Sequence, residues 1–168
     1  MNKKHSNPYI IITGACGGIG QALVKAFAQT DYQVIATDII NAPDDLPCHY
    51  FIQADLQRTV QDEIYAQQIF AQIKSCLNGN GLKGLINNAA VQILGNFDIL
   101  SRNEWYTTLE TNLLAPVFWT QAFLPELEKL QGCVLNISSI HAHLTKPHFT
   151  AYATSKAALS GLTRSMAV

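Results

Sequence analysis

Two rhythms of apolar residues alternate along the chain. Short blocks at residues 9–13, 33–37, 50–53, 84–87 and 132–138 are nearly continuously apolar, as in Ile10-Ile11-Ile12 and Val134-Leu135, and predict strands. Longer stretches at residues 18–29, 59–77, 103–129 and from 149 onward repeat their apolar positions every three to four residues and predict helices. In the first, Ile19, Leu23 and Phe27 define the expected buried face; in the second, Tyr65, Ile69, Ile73, Cys76 and Leu77 do. Strands apolar on both sides, separated by helices, predict a parallel sheet covered on both faces, a doubly wound α/β fold of Rossmann type. No repeat, low-complexity tract or linker divides the chain, so residues 1–168 are expected to form a single domain.

Composition narrows the partners. With 48% hydrophobic and 14% charged residues in 168, the chain buries a core; a net charge of -1 without a basic run argues against nucleic acid. Cys16, Cys48, Cys76 and Cys133 are scattered without a CxxC pair and suit reduced thiols in a cytoplasm. Lys3 and Lys4 resemble the start of a signal peptide, but the apolar run after them is too short for one. No stretch approaches the ~20 apolar residues of a membrane span. The last helical pattern is still periodic at Leu159, Leu162 and Met166 when the sequence ends at Val168, so the sheet is expected to lack its last strands.

The glycines of Thr13-Gly14-Ala15-Cys16-Gly17-Gly18-Ile19-Gly20 directly follow a strand and open a helix, the setting of a dinucleotide turn. Glycine serves where the chain turns sharply and where a Cβ would hold the backbone away from a pyrophosphate, while the helix N-terminus offers free N–H groups. Asp38, at the end of the second strand, suits the hydroxyls of an adenine ribose and repels a 2'-phosphate; no Arg or Lys lies inside the turn or just after Asp38, so NAD is favoured over NADP. Asp55-Leu56 after the third strand is placed to meet the adenine amino group, and Asn87-Asn88-Ala89-Ala90 after the fourth supplies small residues and strand-end amides. The expected cofactor-binding set is Gly14, Cys16, Gly17, Gly18, Ile19, Gly20, Asp38, Asp55, Leu56, Asn88, Ala89, Tyr152 and Lys156. Cys16 itself reads as a small packed residue, since no cation adjoins it in sequence.

Tyr152 and Lys156 stand four apart on the last predicted helix and so share a face. With the turn, Asp38, the NNAA segment, Asn112, Asn136-Ile137-Ser138-Ser139 and Tyr152-Ala153-Thr154-Ser155-Lys156 in order, the chain resembles the short-chain dehydrogenase/reductase family from end to end. Ala90 departs from it, the family usually having glycine there. The resemblance implies an alcohol or carbonyl oxidoreductase with Ser139, Tyr152 and Lys156 as catalytic residues and Asn112 as the fourth. It also implies a small alcohol or ketone substrate and a homo-oligomer. Hydride transfer requires a matching proton transfer, for which Tyr152 is the acid/base. A phenol ordinarily ionises near pH 10, so work near neutrality calls for roughly 4 kcal/mol of selective phenolate stabilisation, with the Lys156 ammonium as a source. Ser139 would orient the substrate oxygen.

Pro116 lacks an N–H and is expected to bend its helix and free the Asn112 carbonyl, which would hold a relay water beside Lys156. His141, His143 and His148 lie between Ser139 and Tyr152; without a neighbouring carboxylate or cysteine they are expected to be pocket-lining or solvated loop histidines rather than to hold a metal, with His141 the best placed for substrate contact. The alternative to an enzyme is a cofactor-binding remnant without turnover.

Overall fold

The computed structural model describes residues 7–168; the segment with Lys3 and Lys4 lies outside the described residues. Five strands, β1 (Tyr9–Thr13), β2 (Gln33–Asp38), β3 (Tyr50–Gln53), β4 (Leu82–Asn87) and β5 (Cys133–Asn136), form one sheet in the order β3-β2-β1-β4-β5. All neighbours are parallel. The helices are α1 (Gly18–Ala28), α2 (Leu56–Gln61), α3 (Glu63–Leu77), α4 (Arg102–Leu109), α5 (Ala115–Lys129) and α6 (Thr150–Met166).

The alternation of side chains along a strand divides the β1 isoleucines between two cores. Ile11 joins Ile35, Leu85, Ile69, Ile73, Trp119 and Phe123 on one face, while Ile10 and Ile12 join Val34, Ala36, Ile86 and Val24 on the other. This is the doubly wound arrangement that the apolar strands predict. Phe70 packs edge-on to Trp119 and Phe123, tying α3 to α5, and Trp119 Nε1 donates to Thr59 Oγ1 at 3.1 Å. The chain runs outward from β1 to β3 and then returns past β1 to β4, so the connections diverge between β1 and β4. A crevice opens at such a switch point, beyond the carboxyl ends of the two strands.

Three expected elements differ in detail. The helix expected over residues 59–77 is two helices, because Asp62 leaves helical geometry (φ -129°, ψ 100°) and its carboxylate accepts from Tyr65 N, capping α3. Asp55 does the same for α2, accepting from Arg58 N. The buried face of α1 carries Gly20 and Val24, with Leu23 and Phe27 half-buried; Ile19 is 60% exposed. Gly20 has no side chain to show in a hydropathy pattern, which is why the apolar stripe points elsewhere. Finally, the helix expected over residues 103–129 widens into a π-turn at Glu110–Leu114, with Ala115 N–H donating to the Glu110 carbonyl. Pro116 is thus accommodated by an extra residue in the turn rather than by a break.

Candidate active site

Beyond the ends of β1 and β4 the two strands are laced together. Thr13 Oγ1 accepts from the Asn88 and Ala89 N–H groups, both at 3.1 Å, and Asn88 Nδ2 donates to the Thr13 and Gly14 carbonyls at 2.9 Å. Gly14 turns with φ +65°, and a Cβ there would stand 2.7 Å from Ala89 Cα. A Cβ on Gly20 would overlap the Gly14 carbonyl, so glycine lets α1 close onto the turn. Gly18 is different: apart from its chain neighbours and its own helix backbone, no atom of the described residues lies within 4 Å of where its Cβ would be. Nothing in the fold requires glycine at that position.

Around the turn lies a cavity of about 540 Å³. Eleven of the expected cofactor residues line it, namely Gly14, Cys16, Gly17, Gly18, Ile19, Gly20, Asp38, Asp55, Leu56, Asn88 and Ala89. No side chain caps α1 at Gly17, leaving the first N–H groups of the helix for another acceptor. Asp38 lines the same cavity, accepting from Cys16 N at 2.8 Å and from Ile40 N at 3.3 Å. The Asp55 carboxylate holds Arg58 N at 3.2 Å, so one oxygen is committed to capping α2. Exposed Ile19, Ile39 and Ile40 give the cavity an apolar wall. An open glycine, an uncapped helix start and a strand-end acid beside apolar side chains fit the pyrophosphate, ribose and base of a dinucleotide. The Cys16 thiol is pushed up to about 11, first by burial and then by Asp38, so it remains a thiol, as its lack of a cationic neighbour suggests.

Tyr152 and Lys156 do not line this cavity, nor do Ser139 and Asn112. They form a second group under α6. Lys156 is 2% exposed, its Nζ donates to the Ile137 carbonyl at 2.7 Å, and burial pulls the amine down to about 8. The same Nζ lies 5.8 Å from the centroid of the Tyr152 ring. Ser139 Oγ accepts from His141 N at 3.2 Å and caps a short 3₁₀ turn, Ile140–Ala142, leaving its own hydrogen free to donate.

Asn112 joins the two groups. Fully buried in the π-turn, it accepts from Val91 N at 2.8 Å and donates to the Val91 carbonyl at 2.9 Å and Ser155 Oγ at 3.0 Å. Val91 lines the cavity, and Ser155 Oγ contacts the Tyr152 carbonyl at 2.7 Å. The Asn112 side chain is therefore a brace between the cavity wall and α6. Its carbonyl has Pro116 at its α-helical donor position, where no N–H exists.

Thr13, Ile39, Ile40, Gln57, Thr107 and Thr111 belong to the site without having been singled out from sequence. Thr13 opens the glycine motif, so its position carried a signal. Gln57, Thr107 and Thr111 come from separate elements that only packing brings to one wall.

The family model described as short chain dehydrogenase matches residues 8–168. The chain belongs to the short-chain dehydrogenase family. Probable galactose dehydrogenase GalD of Rhizobium meliloti (strain 1021) is 32% identical over 169 residues, a match covering 94% of this chain and 64% of that protein. Dehydrogenase/reductase SDR family member 4 of Homo sapiens is 30% identical over 180 residues, covering 97% and 60%. This family member thus spans under two thirds of the length of both relatives. Among solved structures, 4-hydroxyisoleucine dehydrogenase complexed with NADH superposes with a TM-score of 0.82 at 31% identity, over 96% of this chain and 67% of that one. A short-chain oxidoreductase from Brucella ovis in complex with a partially ordered NAD gives 0.84 at 31% identity, over 95% and 76%.

Proposed function

We propose that the chain is an NAD(H)-dependent oxidoreductase acting on an alcohol or carbonyl compound, in a single domain that binds the dinucleotide in the cavity at the switch point. The observation that carries this reading is Gly18, a glycine whose absent side chain would meet none of the described residues outside its own helix turn, at an uncapped helix start in the cavity that Asp38 also lines. NADH and NAD in the two superposed enzymes support it. Gly14, Cys16, Gly17, Gly18, Ile19 and Gly20 would surround the pyrophosphate; Asp38 would hold the ribose and select NAD over NADP; Asp55, Leu56, Asn88 and Ala89 would complete the pocket.

When bound, the nicotinamide supplies hydride transfer. The chain's own part is the proton. Tyr152 would give it to, or take it from, the substrate oxygen, with the Lys156 ammonium favouring the phenolate and Ser139 donating to the same oxygen. Lys156 would leave the Ile137 carbonyl to reach the cofactor ribose. Asn112, through its carbonyl, would hold a relay water. A cytoplasmic homo-oligomer suits this reading; among the described residues no helix is long and apolar enough to cross a membrane.

A second reading, cofactor binding without turnover, draws on Lys156 being committed to Ile137 and on the catalytic set lying outside the cavity. Titration with NADH and NADPH, followed by turnover assays with secondary alcohols and ketones, separates the two. Tyr152→Phe is expected to abolish turnover and leave NADH affinity within about threefold. Equal loss of both would make the tyrosine structural.

A further inference from the structure

His141 touches both Ser139 and Tyr152. Its backbone N–H donates to Ser139 Oγ, its ring stacks on Phe149 at 4.2 Å between centroids, and it meets the Tyr152 ring edge-on at 6.1 Å. Two ring contacts and one backbone tie hold the imidazole in place. Within the ring the two nitrogens are unlike. Nδ1 is enclosed and has no hydrogen-bond partner among the described residues, whereas Nε2 is not enclosed and bonds none of the described residues.

That difference selects a tautomer. An N–H on Nδ1 would point a buried donor at nothing, whereas a hydrogen on Nε2 is free to meet a ligand, so the neutral ring carries its proton on Nε2. His141 is then a fixed donor beside the pair proposed to handle the reacting oxygen. A donor in that position asks for an acceptor on the substrate other than the reacting oxygen.

The surrounding charge says which acceptor. Lys146 Nζ lies 4.7 Å from the centroid of Phe149, the ring that His141 stacks on. No Asp or Glu occurs in residues 129–168. The facing loop, tied on by Gly95 N donating to the His148 carbonyl at 3.0 Å, leads to Asp98 and to Glu104, whose carboxylate is engaged by Ser101 at the start of α4. From the reading of the chain as an oxidoreductase, on which this rests, we infer that His141 is a specificity-determining residue whose Nε2–H, with Lys146 nearby, binds a carboxylate on the substrate. The substrate class is hydroxy acids or oxo acids rather than simple alcohols.

The test uses binding, so that it stands apart from turnover. 2-, 3- and 4-hydroxypentanoate and 2-pentanol are titrated calorimetrically into the chain, with and without saturating NADH. At least one hydroxypentanoate is expected to bind about tenfold or more tightly than 2-pentanol. His141→Phe keeps the stacked ring without its nitrogens and should bring that preference to within about threefold, with NADH affinity unchanged. His141→Gln, whose amide nitrogen reaches the Nε2 position, should retain more of the preference than His141→Asn, whose amide sits at Nδ1. The Gln/Asn pair decides the matter if the Phe variant does not fold. Imidazole ¹⁵N spectra should report a proton on Nε2.

No preference for any hydroxypentanoate, an undiminished preference in His141→Phe, or a proton on Nδ1 would overturn the inference. Failure of NADH itself to bind would instead overturn the functional reading, and the titrations without NADH keep the two failures apart.

Discussion

Gly18 and Gly20, two residues apart, answer to different constraints. A Cβ at Gly20 would overlap the Gly14 carbonyl, whereas one at Gly18 meets, beyond its own helix backbone and chain neighbours, no atom of the described residues within 4 Å. Gly20→Ala should therefore destabilise the fold by about 1–3 kcal/mol in urea unfolding. Gly18→Val should leave stability within about 0.5 kcal/mol yet weaken NADH binding at least tenfold by fluorescence titration. Unchanged NADH affinity in Gly18→Val would remove the main support for a dinucleotide in this cavity. Lys156 makes a pH prediction. Burial lowers its amine from 10.5 to about 8, so between those values the unfolded chain holds the proton that the folded chain has released. Stability should then rise with pH across that window, by at most roughly 3 kcal/mol, the penalty being fully present below pH 8. The difference between wild type and Lys156→Met, measured by denaturant unfolding from pH 7.5 to 10.5, isolates it.

At the scale of elements, the π-turn Glu110–Leu114 is what lets Asn112 brace the site. An extra residue in the turn rotates the side chains that follow, and Asn112 reaches both Val91 and Ser155 from within the helix. Removing three hydrogen bonds, one buried and two part-buried, with Asn112→Ala should cost about 2–4 kcal/mol in urea unfolding. An effect below 0.5 kcal/mol, within the range of ordinary surface changes, would mean that the brace carries no weight. The five strands and the four long helical stretches were legible from periodicity, whereas the π-turn, the 3₁₀ turn at Ile140–Ala142 and the start of α2 at Leu56 were not. Nor was the boundary at Asp62, because an acid in a helical pattern reads equally as a solvated surface residue or as a cap, and only the backbone angles decide between them.

For the whole molecule, the sheet order places one crevice between β1 and β4, and a ligand bound there contacts the ends of both strands and α1. Binding to the folded state alone should stabilise all of it together. NADH at 100 times its Kd should add about 2.7 kcal/mol, raising the melting temperature by roughly 5–10 °C in a differential scan. A larger rise with NADPH at the same concentration would contradict the discrimination assigned to Asp38.

By itself the sequence determined the local chemistry: the strand-turn-helix around Gly14, the acid at Asp38, and the pairing of Tyr152 with Lys156 on one helix face. These follow from short-range periods and from the demands that glycine, proline and charged groups place on their immediate neighbours. Tertiary structure alone decided that Thr107, Thr111 and Gln57 share a wall with the glycine turn, that Asn112 spends its side chain on Val91 and Ser155, and that the two nitrogens of His141 differ. Each of these depends on which elements pack together and at what register, a matter of enclosed space and unmet hydrogen bonds that spacing along a chain does not record.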